Sequence, residues 1–261
     1  RKTDEDDQLI FDLMEAEDIR YPSLLAYNEP AGPYAGFMDR MDSPQLVGLG
    51  KASIRSRGDV QLLSGQEYRS GTYGHLNLFL NDDLVLKGQS VDANQWPLYG
   101  LLGRQTQKNG GYAVYAHGGY AQAIYSDFAK GDVNAVELLQ FGVYRGIELA
   151  DWYRILNIGY RFPAVGACDY PACRFLGDSR TYVHRQGASN VVDWFKGLAR
   201  GASFISSGPM LLLEVDGQPP GAVLARNGRG PEPEPVTVTI KIRVRCDVTP
   251  VTNLHLILNG Q

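Results

Sequence analysis

The chain has 261 residues, 44% hydrophobic and 21% charged, a composition typical of a globular protein with a buried core. Its formal net charge of -4 argues against a broad positive field, so we expect no nucleic-acid partner. No run of about 18 apolar residues occurs, so we expect no membrane-spanning segment. The three cysteines do not define a disulfide framework.

Strand-like and helix-like segments alternate through residues 1–205. The first amphipathic segment, DDQLIFDLMEAEDI, predicts a helix with Leu9, Ile10, Leu13 and Met14 on one face. Short apolar runs typical of buried strands follow it: SLLAY, VQLLS, YAVYAH, NAVELLQ and PAVGAC. Three longer segments predict further helices: QWPLYGLLGRQTQKN, YRGIELADWYRILNI and VVDWFKGLAR. This alternation predicts an α/β fold, with a parallel sheet or barrel whose strands are connected by crossover helices.

The pattern changes after residue 205, where apolar residues recur with period two and no helix is predicted. The strand-like segments are MLLLEVDG, VTVTIKIRVRC and NLHLILNG, and a Pro-Glu-rich loop follows the first of them. We therefore predict two parts, a domain over residues 1–205 and a small antiparallel β module over residues 206–261. Because the last segment stops within a strand-like pattern, we expect this module to be incomplete.

Candidate metal ligands lie where predicted strands end. Glu67 follows VQLLSGQ, His117 closes YAVYAH and Asp169 closes PAVGACD, while His75 lies across a Gly- and Tyr-rich turn from Glu67. In parallel α/β folds the loops at the carboxyl ends of the strands converge on one rim. Imidazole and carboxylate together suit Zn²⁺ or Mn²⁺. A histidine at a strand end is also commonly structural, so spacing alone leaves both interpretations open.

Several segments occur in an order that characterises one protein family. They are LMEAEDIRYPSLLAYN, GQEYRSGTYGHLNLF, AHGG, NAVELLQFG, DWYRILNIGYRFPAVGACDYP, GDSRTYV and SGPMLLLEVDGQPPGAVL. In this order the chain resembles the PHP (polymerase and histidinol phosphatase) superfamily, and most of all its carbaryl-hydrolase-type, CehA/McbA-like branch. The resemblance implies a distorted β/α barrel that holds divalent metal ions.

Carried over residue by residue, the resemblance implies that Glu67 is a metal ligand in a position that can bridge two ions. By the same matching, His75, His117 and Asp169 each bind a single ion. The expected cofactor is one or two divalent ions, with zinc or manganese favoured.

The chain departs from the family pattern at three places. The family opens with an H-x-H pair on its first strand, which is absent here, and we expect that strand to precede Arg1. Tyr27-Asn28 stands where many members have Asp-His, and Asp169-Tyr170-Pro171 where many have Asp-x-His. These differences imply one or two ions rather than three. They also leave open whether this stretch of chain is active by itself.

Three further residues are candidates for supporting roles. Arg180, in GDSRTYV, would orient an anionic or carbonyl substrate, or else pair with an acidic residue at the surface. Glu137 lies within a strand predicted to be buried, where a carboxylate needs a partner, so we expect it behind the ligands. Tyr73, close to His75, is expected either beside the ligands or packed in the core.

The resemblance implies a metal-dependent hydrolase that cleaves an ester, amide or carbamate bond of a small molecule through a metal-activated water. A phosphoesterase of the same superfamily is the alternative among enzymes, although the sequence shows no cluster of Lys and Arg around the ligands. A degenerate barrel that acts as a non-catalytic binding module is the alternative outside enzymes. The sequence indicates neither the compartment nor the oligomeric state.

Overall fold

A mixed sheet organises the fold. The structure, a computed structural model, describes residues 4–28, 49–70, 73–85, 98–117, 123–140, 143–144, 149–170, 175–185, 189–224 and 237–261. Within these residues eight strands form the main sheet: β1 Ser23–Asn28, β2 Gly50–Arg57, β3 Val60–Ser70, β4 Gly74–Phe79, β5 Tyr112–Tyr115, β6 Ala135–Gln140, β7 Val143–Tyr144 and β8 Ala164–Ala167. Their order is β1-β3-β4-β5-β6-β7, with β2 paired to β3 and β8 paired to β6.

The strand directions agree only in part with the predicted parallel order. β1 is parallel to β3, and β6 is parallel to both β5 and β8. β4, however, is antiparallel to both β3 and β5. The prediction was wrong here because only three residues separate Ser70 at the end of β3 from Gly74 at the start of β4, too few for the crossover that parallel strands require. The described pairings do not join the two ends of the sheet into a closed barrel.

Helices pack on both faces of this sheet, so the fold is mixed α/β as the alternation predicted. α2 (Leu98–Lys108), α3 (Ile124–Ala129) and α4 (Leu149–Asn157) contribute to a core on one face. α5 (Val191–Ala199) packs on the opposite face through Val191, Phe195 and Leu198. None of the described helices is long and apolar enough to cross a membrane.

The first helix, α1 (Asp4–Ala16), packs against the beginning of β3 with a face that only partly matches the predicted one: Ile10 and Met14 lie on it, and Leu9 does not. Phe11 and Met14 are buried against Val60 and Leu62, whereas Leu9 is 61% exposed. The buried positions follow the helical spacing, but the stripe is centred on Phe11.

The end of the chain contains two small antiparallel sheets. β9 (Arg180–Val183) pairs with β10 (Ser203–Ser206), and β11 (Met210–Val215) pairs with β12 (Ile240–Arg245). The predicted strand NLHLILNG is not a strand in the structure, and Leu254, Leu256 and Leu258 in it are exposed. The division of the chain at residue 205 stays a prediction.

Candidate metal centre

The sheet face that packs against α5 changes from apolar to polar along its strands. The apolar residues beneath α5 on β3, β4 and β6 are Leu63, Phe79 and Ala135. Two or four positions away on the same strands lie Glu67, Asn77, His75 and Glu137. Since side chains two positions apart in a strand point to the same face, these polar groups lie on the α5 side of the sheet. The helix covers one part of this face, and the polar groups occupy the part beyond it.

Glu67, His75 and His117 meet on this face. Each offers one donor atom, and the three atoms all lie within 4.8 Å of one another. Nδ1 of His75 lies 2.8 Å from Oε1 of Glu67 and 3.0 Å from Nε2 of His117. Glu67 and His117 are buried, and His75 is half-buried, so the three polar groups face one another with little solvent between them. The sheet thus brings together three of the four predicted ligands.

The local backbone explains how these side chains converge. In the β3–β4 hairpin Glu67 pairs with Asn77 and Arg69 pairs with His75, so Glu67 and His75 are diagonal neighbours on one face. His117 follows the last residue of β5 by two positions and has a φ of 56°. A non-glycine residue with positive φ costs free energy, and such residues are concentrated at functional sites. Here the left-handed turn marks the point at which the chain leaves β5.

The three groups fit a divalent cation by their chemistry. Two imidazole nitrogens and one carboxylate oxygen are donors that Zn²⁺ and Mn²⁺ accept together. Burial, and to a smaller degree the neighbouring His75, lowers the pKa of His117, while hydrogen bonding with Gln140 acts against that shift. A lowered pKa keeps the imidazole neutral, which is the form that binds a metal.

Glu137 lies behind His117 and holds its backbone. Its Oε2 accepts a hydrogen bond from the backbone N–H of His117 at 3.1 Å, and its Oε1 accepts one from Nδ2 of Asn77 at 2.8 Å. Burial raises the pKa of Glu137 to about 8, and the charges of Glu67 and Asp169 act in the same direction. A carboxylate in this position fixes the strand end that carries His117, as expected of a group that orients a ligand.

Asp169 lies outside the close group of three donors. It follows the end of β8 by two positions, has a φ of 53° and is half-buried. It lies close enough to His117 and Glu137 for its charge to raise the pKa of each. Its role as a ligand stays a prediction. Tyr73 packs against the core, with its ring centroid 5.8 Å from that of Tyr99.

Arg180 has partners away from the three donors. Its guanidinium donates to the backbone oxygens of Gly177 and Glu17, at 2.8 and 2.7 Å, and pairs with the Glu17 carboxylate at 3.1 Å. These contacts tie β9 to the end of α1. The substrate-orienting role of Arg180 stays a prediction, and the structure adds a stabilising role.

Two residues at this centre were not identified from the sequence. Arg69 donates from Nε to Nε2 of His75 at 3.1 Å, and Asn77 binds Glu137. Both are two positions from a predicted ligand on the same strand, Arg69 from Glu67 and Asn77 from His75. Strand periodicity could therefore have identified them. The sequence shows no cluster of Lys and Arg around the ligands, and the structure places a single arginine, Arg69, beside His75.

Comparisons with known proteins give structural similarity at low sequence identity. No family model matches the chain, and no curated protein matches it. A solved structure similar to it is that of a two-domain protein containing a predicted PHP-like metal-dependent phosphoesterase from Bacteroides vulgatus ATCC 8482. The identity is 11% and the TM-score 0.47, over 87% of this chain and 78% of that one. This similarity is too distant to assign a family or an activity.

Proposed function

We propose that this chain is part of a metal-dependent hydrolase whose centre is formed by Glu67, His75 and His117. The observation that carries the proposal is the approach of their donor atoms to within 4.8 Å of one another at a largely buried position. Two imidazole nitrogens and one carboxylate oxygen that converge at a buried position are a donor set that a divalent cation binds. We assign the centre to a domain over residues 1–205, followed by a β module over residues 206–261.

Each residue has a distinct part in this proposal. Oε1 of Glu67, Nδ1 of His75 and Nε2 of His117 are the donors, and Asp169 completes the set from the end of β8. Glu137 holds the backbone of His117 and so fixes the direction of its ring. A divalent ion, zinc or manganese, supplies Lewis acidity that activates water and polarises the bond to be cleaved.

An ester, amide or carbamate of a small molecule is the proposed substrate. The support is the resemblance of the GQEYRSGTYGHLNLF and AHGG segments to the carbaryl-hydrolase-type branch of the PHP superfamily. A phosphate ester is the second candidate, and a specific observation favours it: the guanidinium of Arg69 contacts His75. An arginine beside a metal is well suited to bind phosphate oxygens.

The proposal is tested by metal analysis of the purified chain, followed by turnover assays on an aryl ester, an aryl carbamate, an anilide and an aryl phosphate. We expect at least about one ion per chain, and hydrolysis that stops with chelator and returns with Zn²⁺ or Mn²⁺. Hydrolysis that persists after complete metal removal would show that the centre is not metal-dependent. Metal uptake with no turnover of any substrate would favour the non-catalytic binding module instead.

A further inference from the structure

The strand β12 has a free edge. It pairs with β11 in a two-stranded antiparallel sheet, and within the described residues no other strand pairs with it. An edge of this kind presents a row of backbone N–H and C=O groups to which a further strand can be added. The side chains of β12 determine what kind of strand fits there.

The register of the sheet shows which backbone groups point to the free edge. The N–H of Asp216 donates to the carbonyl oxygen of Thr239, and this pair continues the β11–β12 register. Hydrogen-bonded and non-hydrogen-bonded residue pairs alternate along an antiparallel ladder. The backbone groups of Ile240, Ile242 and Val244 therefore point away from β11, and in the described part of the chain no backbone group pairs with them.

The two faces of β12 differ in their chemistry. One face is apolar and half-buried, and it carries Ile240, Ile242 and Val244. The other face is exposed and carries a basic row, which consists of Lys241, Arg243 and Arg245. Since alternate residues of a strand are about 7 Å apart, three positive charges follow one another at this spacing along the strand.

The charges of the basic row are only partly balanced within the chain. Arg245 pairs with Asp247 at 2.9 Å, and Lys241 lies opposite Glu214 on β11. Like charges at this spacing repel one another, so acidic groups bound beside the row remove an unfavourable interaction.

Arg243, in the middle of the row, is the residue best placed to bind a partner. It makes no hydrogen bond or ion pair with any residue that the structure describes. It lies opposite Leu212, which is 48% exposed although its side chain is large and apolar. Arginine is enriched among the residues that contribute most to protein interfaces, and an adjacent apolar side chain adds contact area.

The free edge and the basic row together restrict the partner. A second copy that paired its own β12 with this edge in antiparallel orientation would place two basic rows side by side, which is destabilising. A nucleic acid carries negative charge but cannot pair with strand backbone groups, and the net charge of -4 on the chain opposes its approach. An extended peptide with acidic residues at every second position, and apolar residues between them, matches both the edge and the row.

We propose that β12 is a docking edge for an extended acidic segment of another protein, which adds to β11 and β12 as a third strand. The backbone of the segment pairs with the edge groups of Ile240, Ile242 and Val244, and its acidic side chains lie beside the basic row. Its apolar side chains extend the half-buried face of the sheet. The inference goes beyond the proposed hydrolase and uses no residue of the metal centre.

The test measures binding of a short capped peptide, in which valine and glutamate alternate, to the purified chain. A second peptide has lysine in place of glutamate. Fluorescence anisotropy gives the affinities, and amide hydrogen exchange by NMR shows which N–H groups the peptide covers. The variants are Arg243→Glu, which reverses one charge of the row, and Ile242→Pro, which removes an edge N–H but no β11–β12 hydrogen bond. The control is Arg55→Glu, at an exposed arginine of β2.

We expect the chain and the control to bind the acidic peptide at least about tenfold more tightly than the lysine peptide. Arg243→Glu should reduce or reverse this preference, which shows binding even where the acidic peptide is lost. The bound peptide should slow exchange at Ile242 and Val244, whereas the amide of Lys241, which faces β11, should change little. Ile242→Pro should lose the peptide while circular dichroism shows a retained fold.

Four outcomes would overturn the inference. Equal affinity for the two peptides would exclude the basic row, and binding without slower exchange at Ile242 and Val244 would exclude strand addition. Slow exchange at these amides in the free chain, together with a dimer in sedimentation, would show that a second copy occupies the edge. Tighter binding of a single-stranded oligonucleotide than of the acidic peptide would identify a surface for polyanions instead.

Discussion

Nδ1 of His75 lies 3.0 Å from Nε2 of His117, although the two residues are 42 positions apart in the chain. β4 carries His75 and the end of β5 carries His117, and the antiparallel pairing of these strands brings the two rings together. Two imidazoles this close need a shared proton or a shared cation between their nitrogens. Oε1 of Glu67 lies 2.8 Å from the same Nδ1, so this carboxylate can accept the Nδ1 proton or share a cation with the two rings.

Removal of His117 should abolish tight metal binding. Loss of a residue that only hydrogen-bonds a metal ligand typically weakens metal affinity roughly 10–100-fold. We expect His117→Ala to weaken Zn²⁺ affinity by more than this, because the proposed ligand itself is lost. The fold should persist, since His117 lies beyond the end of β5. Competition with a chelating dye measures the affinity, and circular dichroism checks the fold. His184→Ala, which removes an exposed histidine, is the control, and unchanged affinity in His117→Ala would refute this assignment.

Asn77 should matter for both stability and metal affinity. Asn77→Ala removes the hydrogen bond to buried Glu137, which should cost about 1–3 kcal/mol of unfolding free energy. Since Glu137 also holds the backbone of His117, metal affinity should fall roughly 10-fold or more. Denaturant unfolding and metal competition are the measurements, with exposed Asn109→Ala as control. A stability loss without any change in metal affinity would show that Asn77 stabilises the fold but does not support metal binding.

Arg180 should stabilise the fold without holding metal. Arg180→Ala breaks the ion pair with Glu17 and two hydrogen bonds to backbone oxygens, so we expect a loss of about 1–2 kcal/mol and unchanged metal content. Glu17→Gln is the matched variant, because it weakens the ion pair and keeps the arginine. A KM that rises in Arg180→Ala but not in Glu17→Gln would demonstrate the substrate-orienting role predicted from the sequence. Metal loss in Arg180→Ala would contradict the expectation stated here.

Asp127 should make stability depend on pH. It is 1% exposed, and its Oδ2 accepts a hydrogen bond from the Tyr115 hydroxyl at 2.6 Å. Burial raises the pKa of Asp127, the Tyr115 hydrogen bond opposes this, and the nearby Asp132 adds to it. At a pH between the two pKa values, Asp127 is therefore protonated in the folded chain and ionised in the unfolded chain. This contribution to stability is full below the pKa of the unfolded chain and is lost as pH rises through the higher folded value.

Asp127→Asn cannot ionise, and its amide oxygen can still accept from Tyr115. Relative to wild type it should therefore gain stability as the pH rises from the ordinary Asp value of 3.8 through the raised folded pKa, and melting temperatures at several pH values measure this change. Exposed Asp59→Asn should show no such trend. A constant difference between Asp127→Asn and wild type at all pH values would show that folding does not raise the pKa of Asp127.

The sequence predicted the elements better than their directions. Apolar runs such as VQLLS and YAVYAH identified β3 and β5, because buried strands require continuous apolar side chains. The antiparallel position of β4 was not predicted, since the alternation of strands and helices says nothing about which strands become neighbours. In α1 the helix was predicted, but one residue of its buried face was not: Phe11 faces the core and Leu9 is exposed.

Glu67, His75 and His117 were predicted as metal ligands from the sequence alone, on their residue types, their places next to predicted strand boundaries and the family resemblance. Only the tertiary structure decided that the donor atoms of these three residues meet and that Arg69 contacts His75. The physical reason is the range of the interactions involved. Strand formation and residue chemistry are local properties, whereas contacts across strands depend on pairing and register, which the packing of the whole sheet determines.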